Sequence, residues 1–155
     1  MVKTTLELKC RALGGKLIAE SLRDAEVGLA SLAGKASDEV RSELCCIARL
    51  TGDGGSRPDA DALDEIRVRA DRSLGYCAAL DRPGLSDCLL KLCLLCDAVS
   101  DSGIWLEGTF GPLLTILELV ARGQMSREEV EILMDGIARC IEVYQSSSSA
   151  QPVLS

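Results

Sequence analysis

One stretch decides how this chain folds: Gly84 to Val99, GLSDCLLKLCLLCDAV. Between Asp87 and Asp97 its only charged residue is Lys91, and Leu89, Leu90, Leu92, Cys93, Leu94, Leu95 and Cys96 leave no wide polar face. A helix that is apolar nearly all round belongs inside a core, with other helices packed on most of its sides. The stretch therefore predicts an all-α protein, a helical bundle of five to six helices arranged around Leu85–Val99. Ser86 reads as the residue that caps the central helix.

Outward from this helix the chain is punctuated by ordinary start and stop signals. Downstream, Ser100-Asp101-Ser102-Gly103 ends it, and Ile104-Trp105-Leu106 leads into a helix that begins near Thr109. Pro112 falls in the first turn of that helix and Gly123 follows its last residue. Ser126-Arg127-Glu128-Glu129 reads as a capping box, with Met125 and Val130 as the matching hydrophobic staple. Val130, Leu133, Ile137, Ile141 and Tyr144 then continue as one apolar stripe. Upstream, Leu63, Ile66, Ala70, Leu74, Cys77 and Leu80 mark a helix capped by Asp59 or Asp61 and ended by Asp81-Arg82-Pro83-Gly84.

The N-terminal third poses a question of length. A first stripe, Leu6, Cys10, Leu13 and Leu17, changes phase beside Gly14-Gly15. A second, Ile18, Leu22, Ala25, Leu29, Leu32, Ala36, Val40, Leu44, Ile47 and Leu50, keeps a helical period straight through Gly34. As a single helix, Lys16 to Thr51 spans roughly 54 Å at 1.5 Å per residue, longer than the roughly 40 Å width of a compact domain of this size. A break is available at Gly34, with Ser37 as the next cap. The unbroken phase favours one helix, whose excess length pairs with a second copy.

The expected organisation is a long N-terminal helix or helical hairpin over 1–51 that serves as a dimerisation element, then a loop over 52–58. A bundle over 59–145 and a disordered, serine-rich tail over 146–155 complete it. At 155 residues the chain is long enough to build one core without staples. With 47% hydrophobic but only 3% aromatic residues, that core is made of Leu, Ala, Val, Ile and Cys. The net charge of −7 divides as +1 over 1–51, −2 over 52–82 and −6 over 83–155. No basic stripe exists to neutralise phosphates, so nucleic acid and anionic membrane are not expected partners. The start, MVKTTLELKC, lacks the apolar core of a signal peptide, and the expected location is cytoplasmic, where the eight cysteines stay reduced.

The chemistry-bearing patterns are few. The chain has no histidine, which removes the usual general base, the usual zinc ligand and the acceptor of histidine phosphotransfer together. Cys88-x4-Cys93-x2-Cys96, with Cys140 downstream, has the spacing of a plant-type [2Fe–2S] site. Its intervening residues are leucines on a helix whose N–H groups are already satisfied, so free cysteine as a small hydrophobe is the preferred reading. Gly52-Asp53-Gly54-Gly55 lacks the lysine and strand of a phosphate loop, and Asp59-x-Asp61-x-x-Asp64-Glu65 lacks the glycine and closing glutamate of a calcium loop. Ile47-Ala48-Arg49-Leu50-Thr51-Gly52 resembles the H-x-L-K-G signature of histidine phosphotransfer domains. Only Leu50 and Gly52 match it; Ala48 stands at the phosphorylated histidine and Thr51 at the lysine.

These readings leave a non-enzymatic, cytosolic interaction or adaptor protein of a bacterial signalling or regulatory kind, homodimeric, with no metal, no cofactor and no catalytic residues. Its protein partner is not identified. The interaction residues expected are Leu22, Leu29 and Leu32 on the long stripe, and Trp105, a residue type enriched at interface hot spots. Two other classes stand beside it. One is a degenerate phosphotransfer-like module without its phosphoacceptor; the other is a thiol or metal redox protein using Cys88, Cys93, Cys96 and Cys140.

Overall fold

A computed structural model describes residues 18–52 and 54–149, and its described residues form five helices and no strand. These are α1 (Ile18–Thr51), α2 (Ala60–Cys77), α3 (Leu85–Ser102), α4 (Gly111–Ala121) and α5 (Arg127–Ser149). The all-α bundle expected from the sequence is what forms. The first stripe, Leu6 to Leu17, lies outside the described residues.

The second stripe is one uninterrupted helix of 34 residues, as its unbroken phase requires. No contact surrounds Gly34, so the helix passes through it at only the ordinary propensity cost. The chain nevertheless divides into two compact units, and it divides inside this helix, after Lys35. This division falls before the loop expected over 52–58. The cause is burial: Ala36, Val40, Glu43, Ile47 and Thr51 are buried, and this commits the second half of α1 to the larger unit.

Within that unit α3 is the central element, packed against α2, α5 and α4, while α4 also meets α5. Leu85, Cys88, Leu89, Leu92, Leu95, Cys96 and Val99 are all buried on it. Its entry differs from the sequence expectation. Ser86 does not cap it; the cap position lies two residues earlier, at Gly84 in the left-handed region at φ +84°. A Cβ on Gly84 would lie 2.7 Å from Val130 Cγ1, so close approach of α5 and backbone conformation both require glycine there.

The other ends follow their signals. Asp59 caps α2 by accepting the Ala62 N–H at 2.8 Å. The capping box of α5 is closed on both sides, Ser126 N–H to Glu129 Oε2 at 2.7 Å and Glu129 N–H to Ser126 Oγ at 3.3 Å. These hydrogen bonds hold the Glu129 carboxyl below its ordinary pKa. At the far end α5 continues through Ser149, whereas the sequence predicts disorder from Ser146. Ser146 and Ser147 donate to the carbonyls of Glu142 and Val143 at 2.8 and 2.9 Å, which satisfies their hydroxyls on the helix itself.

Candidate functional site

Three of the four expected interaction residues share one face. Ile18, Leu22, Ala25, Leu29 and Leu32 follow steps of four, three, four and three along α1, which is the spacing of a coiled-coil seam. Leu22 is 60% exposed, Leu29 67% and Leu32 58%, and Ile18 is more exposed still. After Ala36 the next buried position is Val40, four residues on instead of three. The heptad register therefore ends where burial in the larger unit begins. The fourth residue, Trp105, belongs to the larger unit. It is half-buried, its ring lies 6.1 Å from that of Phe110, and its indole N–H donates to the Gly55 carbonyl at 3.3 Å. Its contacts join the loop after α3 to the loop after α1.

That end of the bundle is knit by polar groups that the sequence reading did not single out. The buried Tyr144 hydroxyl accepts the Leu106 N–H at 2.9 Å and lies 2.6 Å from Thr109 Oγ1, and Thr109 in turn donates to the Leu106 carbonyl. Arg57 donates to the Val99 carbonyl at 2.7 Å, satisfying an acceptor near the C-terminus of α3. All of these groups hold loops in place.

A second feature missed from sequence is a carboxylate in the apolar register of α1. Glu43 is only 6% exposed and accepts Arg69 Nη1 at 2.8 Å and Arg72 Nη1 at 2.9 Å, which ties α1 to α2. Burial pushes the Glu43 carboxyl up, but the hydrogen bonds and charges of Arg72 and Arg69 outweigh it and hold the group below its ordinary pKa. Glu43 stands one turn after Val40 and one turn before Ile47, so its position on the buried face was the available signal.

Two of the grooves on the larger unit border the apolar stripes of α1 and α3. One, of about 350 Å³, lies between α1 and α4, with Val40, Leu44 and Ala121 in its lining and Arg41 and Arg122 at its rim. Glu118 is ion-paired with Arg122 beside it. The other, of about 400 Å³, lies between α3 and α5 and is lined by Leu90, Leu94, Val130 and Met134. Leu90 and Leu94 are 50% and 47% exposed, so the central helix keeps one open strip despite its all-round apolar sequence.

Of the described thiols, those of Cys77, Cys88, Cys93 and Cys96 lie in or against the core. Cys88 and Cys96 are buried, Cys93 and Cys140 half-buried, and all are free. Burial pushes the Cys88 and Cys96 thiols up to about 12, which keeps them protonated and poor as nucleophiles or ligands near neutral pH. Among the described residues no three cysteine or acidic side chains come together as a metal-ligand set. At the phosphotransfer-like hexapeptide, Ala48 is exposed but carries only a methyl group. Thr51 is buried and donates its hydroxyl to the Ala48 carbonyl at 3.0 Å.

No protein-family model matches the chain, and no curated protein or solved structure is recognisably similar to it. Among the described residues no helix is long and apolar enough to cross a membrane.

Proposed function

We propose that the protein is a non-enzymatic, cytosolic interaction protein that associates with a second copy of itself through the exposed seam of α1, Ile18 to Leu32. The observation that carries this reading is the contrast along one stripe: it is buried from Ala36 onward and open from Ile18 to Leu32. Leucines repeated at heptad spacing on a continuous helix gain free energy only when another apolar surface covers them. Scattered exposed leucines need no such explanation, but a periodic row of them does.

The seam is short, five positions on four helical turns, so the association belongs to the weak and reversible class. The test is sedimentation velocity over a concentration series. The expected outcome is a monomer–dimer equilibrium in the micromolar range, abolished by Leu22→Asp with Leu29→Asp while helical content and melting temperature are kept. A monomer at every concentration would sink the reading.

A further inference from the structure

The groove between α1 and α4 lies wholly within the larger unit and brings polar and apolar side chains of both helices into one concavity. On α1 the apolar row is Val40, Leu44 and Ala48, and Ser37, Arg41 and Cys45 run beside it at the same step of four. Helix α4 faces them with Ala121 and, four residues apart, Glu118 and Arg122. We propose that this groove binds a small apolar monocarboxylate, its carboxylate held by Arg41 and Arg122 and its hydrocarbon laid against Val40, Leu44 and Ala121. The site does not depend on self-association through the first half of α1.

Charge selects an anion. The chain carries −7 overall, yet two of the three charged residues lining this groove are arginines. A third arginine stands next to them: Arg82 donates Nε to the Ala121 carbonyl at 3.2 Å and Nη1 to the Asp81 carbonyl at 3.0 Å, neutral acceptors that do not cancel its charge. The lining arginines each have a carboxylate on their own helix, Asp38 for Arg41 at 3.9 Å and Glu118 for Arg122. All four of these side chains are exposed, and exposed pairs within one helix are weak. A ligand carboxylate at the groove gains two guanidiniums where each native carboxylate has one. The groove between α3 and α5, by contrast, sets Asp87 and Glu131 against Lys91 and Arg127 and selects no sign.

Size selects a small molecule. About 350 Å³ lies at the lower end of the clefts that hold small ligands. From Arg41 to Ala48 the helix advances roughly 10 Å at 1.5 Å per residue. An alkyl chain anchored at Arg41 and running toward Ala48 therefore covers Leu44 on the way, and removal of that apolar surface from water supplies the rest of the affinity.

The test is an NMR titration of the full chain with octanoate, octanol and octylammonium. Octanoate is expected to shift the amide signals of 37–48 and 118–122 to saturation, with octanol and octylammonium binding about tenfold more weakly or worse. Arg41→Gln with Arg122→Gln, both at exposed positions, should keep the melting temperature, weaken octanoate about tenfold and leave octanol unchanged. Glu118→Gln releases Arg122 and removes the one carboxylate of the lining, and it should tighten octanoate about two- to fivefold. Equal binding of octanol and octanoate, or an arginine variant that binds octanoate like the parent, overturns the proposal, as do shifts absent or confined to other residues. Dissociation by octanoate of a dimer that survives Leu22→Asp with Leu29→Asp would assign the groove to a second copy and overturn it too. Saturable octanoate binding by that variant as a monomer upholds the site, whatever the α1 seam does.

Discussion

The two halves of α1 carry the same kind of stripe and meet opposite fates. From Ala36 to Thr51 the apolar row is buried, with Val40 and Ile47 at 1% and 0% exposure, and it is fastened by the Glu43 carboxylate to Arg69 and Arg72. From Ile18 to Leu32 the large members of the row, Ile18, Leu22, Leu29 and Leu32, are each more than half exposed. Helical period alone is therefore evidence for a face and says nothing of what covers it. The halves differ in two residue-level details: the first keeps strict heptad steps, and only the second carries a charged residue inside its buried register.

The comparison breaks most visibly if equal truncations in the two halves have equal effects. Ile47→Ala removes a fully buried side chain and is expected to lower unfolding stability by about 2–5 kcal/mol, read from urea denaturation at a concentration below dimerisation. Leu29→Ala, at 67% exposure, should change that same quantity by no more than about 0.5 kcal/mol. It should instead shift the dimer midpoint in sedimentation. A large loss of monomer stability from Leu29→Ala would mean that the first half is already covered within one chain.

Glu43 gives the next effect in size. Glu43→Gln removes the charge shared by Arg69 and Arg72 and is expected to cost about 2 kcal/mol, less than a fully buried pair because both arginines reach solvent. The same group sets an acid limit. Its folded pKa lies below the unfolded value of about 4.3, so the unfolded chain binds the proton more readily. Its contribution is complete above that unfolded value and is lost as pH falls through the folded one. In Glu43→Gln the difference from the parent protein should shrink as the pH is lowered below about 4. A gap that stays constant across that range would assign the effect to shape alone.

Much of this architecture is legible in the residues before any coordinates are seen. The single long α1, the Asp59 cap, the Ser126–Glu129 box and the centrality of α3 all follow from local signals that act within a few residues. What escapes is non-local. Gly84 replaces Ser86 at the start of α3 because Val130, far along the chain, crowds the position. Leu90 and Leu94 stay half-exposed because helices cover only part of α3. Glu43 looks like an ordinary surface glutamate until α2 brings Arg69 and Arg72 against it. The candidate interface was legible as a stripe, and Cys88 and Cys96 as buried positions of α3. The stop of the heptad register at Ala36 was also there, hidden by treating 18–50 as one uniform period.

The smallest expected effect separates helix propensity from helix pairing. Gly34 sits on the outer side of the heptad, away from the seam, and nothing lies within 4 Å of where its Cβ would be. Gly34→Ala should therefore stabilise α1 by about 1 kcal/mol, seen as slower amide exchange over residues 18–35, with the dimer midpoint moving only as far as that added helicity carries it. Gly28→Ala brings the same gain in propensity, and its added methyl has equal room in the single chain. Residue 28, however, stands beside Leu29 of the exposed stripe, so in a helix pair formed through that stripe the methyl would lie at the flank of the seam. It should slow exchange like Gly34→Ala in the monomer yet fail to tighten the dimer, and any difference between the two variants in the dimer midpoint measures how near the helices come. Identical behaviour of both glycines would place residue 28 away from the pairing surface and move the seam off Ala25 and Leu29.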